Sequence, residues 1–91
     1  MKARLLRIQG RVQGVGYRDW LVAEATAAGL SGWVRNRADG SVEALLAGEE
    51  AAVGAVLLAA RRGPPAARVD RIEERFAEPP EEPGFLRRPT L

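Results

Sequence analysis

The chain has 91 residues, 46% of them apolar and 29% charged, with a formal net charge of +2. That is enough for one domain with one core, and the composition is not that of a disordered segment. The absence of cysteine and histidine excludes a disulfide framework, a thiol nucleophile, a thiolate-held metal and the usual imidazole base. No run of about 18 apolar residues is present to span a membrane. The start, Met1-Lys2-Ala3-Arg4-Leu5-Leu6-Arg7, lacks the apolar stretch of a secretory signal, so a cytoplasmic protein is expected. Charge is uneven. Residues 1–18 hold Lys2, Arg4, Arg7, Arg11 and Arg18 and no acid, whereas 73–82 hold Glu73, Glu74, Glu78, Glu81 and Glu82 against Arg75. A basic first segment favours an anionic ligand.

In chain order, Leu6, Ile8, Gly10 and Val12 alternate with Arg7, Gln9 and Arg11, the period of a half-buried strand. Gly10 to Arg18 follows, with Gly14 and Gly16 inside it. Tyr17, Leu21, Ala25 and Ala28 then fall at helical spacing, with Asp19 in the first turn and Gly29 at the end. Trp33 and Val34 open a second strand that runs into Arg35, Asn36 and Arg37. Asp39-Gly40 predicts a hairpin, and Val42, Ala44 and Leu46 predict the returning strand. Gly48-Glu49-Glu50 opens a second helix with Val53, Val56, Leu57 and Ala60 on one face, closed by Arg61-Arg62-Gly63-Pro64. Ile72, Glu74 and Phe76 are in phase for a fourth strand from about Arg71, with Val69, out of phase, in a bend before it. Phe85 to Arg88 predicts a short last strand.

The order βαββαβ predicts an α+β, ferredoxin-like sandwich, with an antiparallel sheet of four to five strands and two helices on one face. In that layout the first and second strands run parallel with the third between them. Their C-terminal ends leave the same edge of the sheet, about 10 Å apart. The fold thus brings the Gly14/Gly16 loop and Arg18 to the neighbourhood of Asn36. Glycines able to take positive φ turn successive N–H groups inward, and a helix start adds free donors and the positive end of its dipole. Arg18 in the first turn can lay a planar fork across the same anion. A tight turn beside a solvated arginine is the alternative reading of these residues.

The blocks Gly10-Arg11-Val12-Gln13-Gly14-Val15-Gly16-Tyr17-Arg18, Gly32-Trp33-Val34-Arg35-Asn36 and Asp39-Gly40-Ser41-Val42-Glu43 resemble the acylphosphatase family, in order and at its spacing. Gly63-Pro64-Pro65, Ala67-Arg68-Val69-Asp70 and the ending Arg88-Pro89-Thr90 look like its bacterial members. The resemblance covers essentially the whole chain as one domain, 1–91. It implies hydrolysis of the carboxyl–phosphate bond of acyl phosphates to a carboxylate and inorganic phosphate. By that match Arg18 binds phosphate, Asn36 orients the attacking water, and Gln13, Gly14, Val15, Gly16 and Tyr17 form the phosphate cradle. Family members carry Phe-acidic-aliphatic-Arg-Pro-Thr in the last strand. Phe85-Leu86-Arg87 exchanges the apolar and charged positions and leaves its register open.

With dispersed acids and no histidine or cysteine, no metal and no cofactor are expected. The expected protein is a monomer without membrane or nucleic-acid partners. Arg35 and Arg37 read as solvated hairpin charges, and Trp20 and Trp33 as packing residues. Tyr17 reads either as a flank of the site or as a staple at the helix start. The alternative function is a non-catalytic anion- or RNA-binding ferredoxin-like module. RNA binding of that kind needs aromatics on the central strands, and Leu6, Ile8, Val42 and Leu45 supply none.

Overall fold

A computed structural model describes residues 3–91. Its elements are β1 (Ala3–Arg11), α1 (Tyr17–Ala27), β2 (Ser31–Asn36), β3 (Val42–Ala47), α2 (Glu50–Arg62), β4 (Arg68–Ala77) and β5 (Phe85–Arg87). The sheet order is β4-β1-β3-β2-β5. β3 pairs antiparallel with both β1 and β2, β4 pairs antiparallel with β1, and β5 adds to β2 in parallel. The predicted βαββαβ sandwich is therefore present, with a fifth strand that makes the sheet mixed.

Alternation along the strands decides the layering. Leu6, Ile8, Val34, Val42, Ala44 and Leu46 form one core with Tyr17, Leu21 and Ala25 of α1 and Val53, Val56 and Ala60 of α2. Each large apolar side chain in this layer contributes about 1.5–3 kcal/mol by leaving water. The opposite sheet face holds a smaller cluster of Ala3, Leu45 and Ala47 with Leu5, Trp33 and Ala77. α1 ends where Gly29, at φ 74°, lets the Leu30 N–H reach the Ala25 carbonyl and the Gly29 N–H reach that of Thr26, the six-to-one and five-to-two pair of a Schellman stop.

Two expectations about the later strands need correction. β4 begins at Arg68, not near Arg71, and Val69 lies within it. The register passes from Gln9–Arg71 to Gly10–Val69, so Asp70 is an extra residue on β4. This bulge resets the alternation and lets both Val69 and Ile72 pack on the main core. It also brings the backbones close at Gly10, where a Cβ would lie 2.2 Å from the Arg68 carbonyl oxygen. In β5, Phe85 is buried opposite Gly32, while Leu86 lies opposite Trp33 and Arg87 opposite Val34. Leu86 is thereby half-exposed beside an indole, and Arg87 reaches Asp19 at the start of α1.

Tyr17 resolves to the staple. Its ring is in the core, 5.5 Å from that of Trp20, and its hydroxyl donates a 2.7 Å bond to the Ala60 carbonyl, tying the start of α1 to the last turn of α2. Burial raises the phenol above its ordinary value of 10.0. The neutral form is thus favoured in the folded protein. Stability is fully present below about pH 10 and falls above it, where only the unfolded phenol ionises. Tyr17→Phe should lower the unfolding free energy by about 1 kcal/mol at neutral pH and flatten that alkaline fall. Urea denaturation across about pH 7–11 measures both.

Candidate functional site

The site is built at the edge where β1 and β2 end. Past β1, Gly14 at φ 72° and Gly16 at φ 81° flank Val15, whose φ is negative. Alternation of hand along successive residues points their N–H groups to one side and makes an anion-binding nest. Neither glycine's missing Cβ would meet anything within 4 Å, so the requirement at both is conformational. Gly16 is also the residue before α1, which has no side-chain cap. The first helical bond is from the Trp20 N–H to the Gly16 carbonyl at 3.1 Å, leaving the N–H groups of Tyr17, Arg18 and Asp19 without helical acceptors. Loop donors and helix start thus converge where the dipole is positive.

Arg18, the second residue of α1, is half-buried and has no carboxylate partner among the described residues. The nearest acid in sequence, Asp19, is held instead by Arg87 of β5 at 2.6 Å. That pairing offsets the negative charge at the start of α1, while Arg18 has no acidic partner of its own among the described residues. Arg87 was not legible as part of this arrangement, because the two partners are 68 positions apart and each alone is an ordinary surface charge.

Asn36 is the last residue of β2 and is only 9% exposed. Its side-chain oxygen, Oδ1, is buried and has no hydrogen-bond partner among the described residues. Its backbone is held from two sides. Val42 pairs with it on β3, and its carbonyl accepts the Leu91 N–H at 3.1 Å. Beyond β5 the C-terminal segment keeps to β2, with Arg88 N–H donating to the Val34 carbonyl at 2.8 Å and Ala38 N–H to the Leu91 carbonyl at 3.0 Å. A buried acceptor without a protein partner is uncommon in folded proteins and calls for an explanation.

Gln13 differs from the rest of the loop. Its side-chain nitrogen donates to the Arg37 carbonyl at 2.8 Å and the Ser41 carbonyl at 2.9 Å, so only its main chain is available to a bound anion. The hairpin arginines are not freely solvated as expected. Arg35 and Arg37 both pair with Glu43, at 2.7 and 3.3 Å, and Arg35 also lies over Trp33, 4.6 Å from the ring centre. Trp33 and Trp20 are packing residues as expected. Among the described residues no three carboxylates gather as metal ligands. The arrangement as a whole can hold a tetrahedral anion and orient a small polar molecule beside it.

Asn36→Ala tests the unpartnered acceptor. Removing a buried oxygen that lacks a partner offsets the packing lost, so the unfolding free energy should stay within about 1 kcal/mol of the parent. A loss above about 2 kcal/mol in urea titration would show that Oδ1 is held by the protein.

Comparison with known proteins places these residues in context. The acylphosphatase family profile matches residues 5–86. The chain is 60% identical over 90 residues to an acylphosphatase of Acidiphilium cryptum, covering 99% of each chain. It is 57% identical over 91 residues to one of Rhodospirillum rubrum, covering 100% of each. Its fold superposes on the crystal structure of acylphosphatase from Bacillus subtilis with a TM-score of 0.88 at 37% identity, covering 94% of this chain and 97% of that one.

Proposed function

Since the chain belongs to the acylphosphatase family and is a hydrolase of acyl phosphates, we propose that Arg18 and the Gln13–Tyr17 main chain bind the phosphoryl group while Asn36 orients the attacking water. The observation that carries this reading is the pairing of an uncompensated guanidinium and free N–H donors on one strand end with a buried, unpartnered amide oxygen on the other.

Chemistry asks little more of the protein. Water attacks phosphorus, the bond from phosphorus to the carboxyl oxygen breaks, and the electron pair leaves on a carboxylate. That group is stable as an anion at neutral pH, so no strong general acid is needed. Charge in the transition state spreads over the equatorial phosphoryl oxygens, where fixed N–H donors and a planar guanidinium stabilise it without reorganising. An amide is no base, but its oxygen accepts a hydrogen bond from the water and so aims a water lone pair at phosphorus, in line with the bond that breaks. The released proton goes to a phosphate oxygen of the substrate.

The proposal includes a monomer of one acylphosphatase domain, residues 1–91, working in the cytoplasm without metal or cofactor. The chain carries no cysteine to bridge or oxidise. The RNA-binding alternative is not favoured. The central strands β1 and β3 carry Leu5 and Leu45 on the open face and no aromatic.

Arg18→Ala should cost about 100-fold or more in kcat/KM on an aryl acyl phosphate and weaken inhibition by phosphate. Arg18→Lys should remain impaired, since a point charge does not reproduce the fork. Asn36→Ala should lose about 100-fold in kcat while phosphate still inhibits as in the parent. Turnover should persist in a chelator. Near-normal kcat in Asn36→Ala would remove Asn36 from the reaction.

A further inference from the structure

Backbone pairing between β1 and β3 stops at Ile8–Val42, well before the loop. Beyond that point the loop and the β2–β3 hairpin carry the two halves of the site on separate pieces of chain. Among the described residues, the hydrogen bonds that join them come from one side chain, the amide of Gln13, to the Arg37 and Ser41 carbonyls. Both protons of its nitrogen are thereby used. The two acceptors form the base of the hairpin. The Ser41 carbonyl also takes the Arg37 N–H at 2.8 Å, and the Arg37 carbonyl takes the Gly40 N–H at 3.1 Å. The turn is itself stiff. Asp39 accepts from the Ser41 N–H at 2.9 Å and from its hydroxyl at 2.6 Å, and its other oxygen pairs with Arg7 of β1. Asn36 directly precedes Arg37.

We propose that Gln13 is a positioning residue for the hydrolysis, fixing the separation between the phosphate loop and Asn36; this rests on the roles assigned above to Arg18 and Asn36. The Gln13 side chain acts through Asn36 and not on the phosphate, which meets only the main chain of this residue. Loop and Arg18 are contiguous, so they bind the anion with or without the brace. Water orientation needs the second piece of chain held to the first, and an error of about 1 Å there costs about 100-fold in rate. The brace therefore governs kcat and leaves affinity for phosphate alone.

Gln13→Met keeps the length of the side chain and removes both donors. Its kcat on an aryl acyl phosphate should fall about 10- to 100-fold, with inhibition by inorganic phosphate unchanged. In an Asn36→Ala background the same substitution should have no further effect on kcat, because the group it positions is gone. A full additional loss in that background, a phosphate affinity that falls in step with kcat, or an unimpaired Gln13→Met would each overturn the proposal. Asn36→Ala at full rate would sink the Asn36 role and this proposal together. An impaired Asn36→Ala beside an unimpaired Gln13→Met would sink this proposal alone. Should Gln13→Met fail to fold, Gln13→Glu gives the same answer through its pH profile. A carboxylate facing two carbonyls has no proton to donate, and protonation restores one bond. Its kcat relative to the parent should climb as pH falls, and a flat ratio would contradict the brace.

Discussion

The site exists because β3 lies between two parallel strands. β1 and β2 are each antiparallel to β3, so both end at one edge, two strand spacings apart. Cross-strand pairing from Arg4–Leu46 to Ile8–Val42 and from Ser31–Ala47 to Asn36–Val42 sets that separation. Slipping either strand by one residue would turn Leu6, Ile8 and Val34 out of the core, so the hydrophobic pattern that stabilises the sheet also fixes the site's width. The same burial that makes the fold determines where Arg18 and Asn36 stand.

Charge is then arranged around this edge at modest cost. The only acid in the first turn of α1, Asp19, is engaged by Arg87, and Arg35 and Arg37 are engaged by Glu43. These pairs are partly exposed and contribute little to stability individually. Their consequence is selective: among the described residues, Arg18 is left without an acidic partner beside the N–H groups of the loop and helix start. The orphaned oxygen of Asn36 is the complementary feature, a polar group whose partner the protein does not supply. Hydrolysis of an acyl phosphate suits such a site, since it needs an anion held and a water aimed more than it needs a proton donor.

Most of the architecture was legible because the early elements follow their periods. β1, α1, β2, β3 and α2 bury residues at spacings of two or 3.6, and Gly29 stops α1 by a local bond pattern. Val69 was misplaced because periodicity assumes an unbroken pleat, and the Asp70 bulge breaks it. β5 was ambiguous because three residues hold too little pattern, and its register is set by parallel pairing to β2 and by Asp19. At the candidate site, the glycine loop and Arg18 were proposed from their local chemistry, topology placed Asn36 beside them, and its role came from the family resemblance. The brace was not, since Gln13 meets main-chain carbonyls of Arg37 and Ser41, which any residues there would present. The Tyr17 side chain was ambiguous until its hydroxyl found the Ala60 carbonyl.

Attack of an oriented water on phosphorus is the central claim, and an isotope experiment tests it most directly. A single turnover of an aryl acyl phosphate is run in water enriched in oxygen-18, and mass spectrometry locates the label. If Arg18 and the loop hold the phosphoryl group for in-line attack, the heavy oxygen appears in inorganic phosphate and none enters the carboxylate. Label in the carboxylate would mean attack at the carbonyl carbon, and would contradict the geometry assigned to Arg18, Asn36 and the nest.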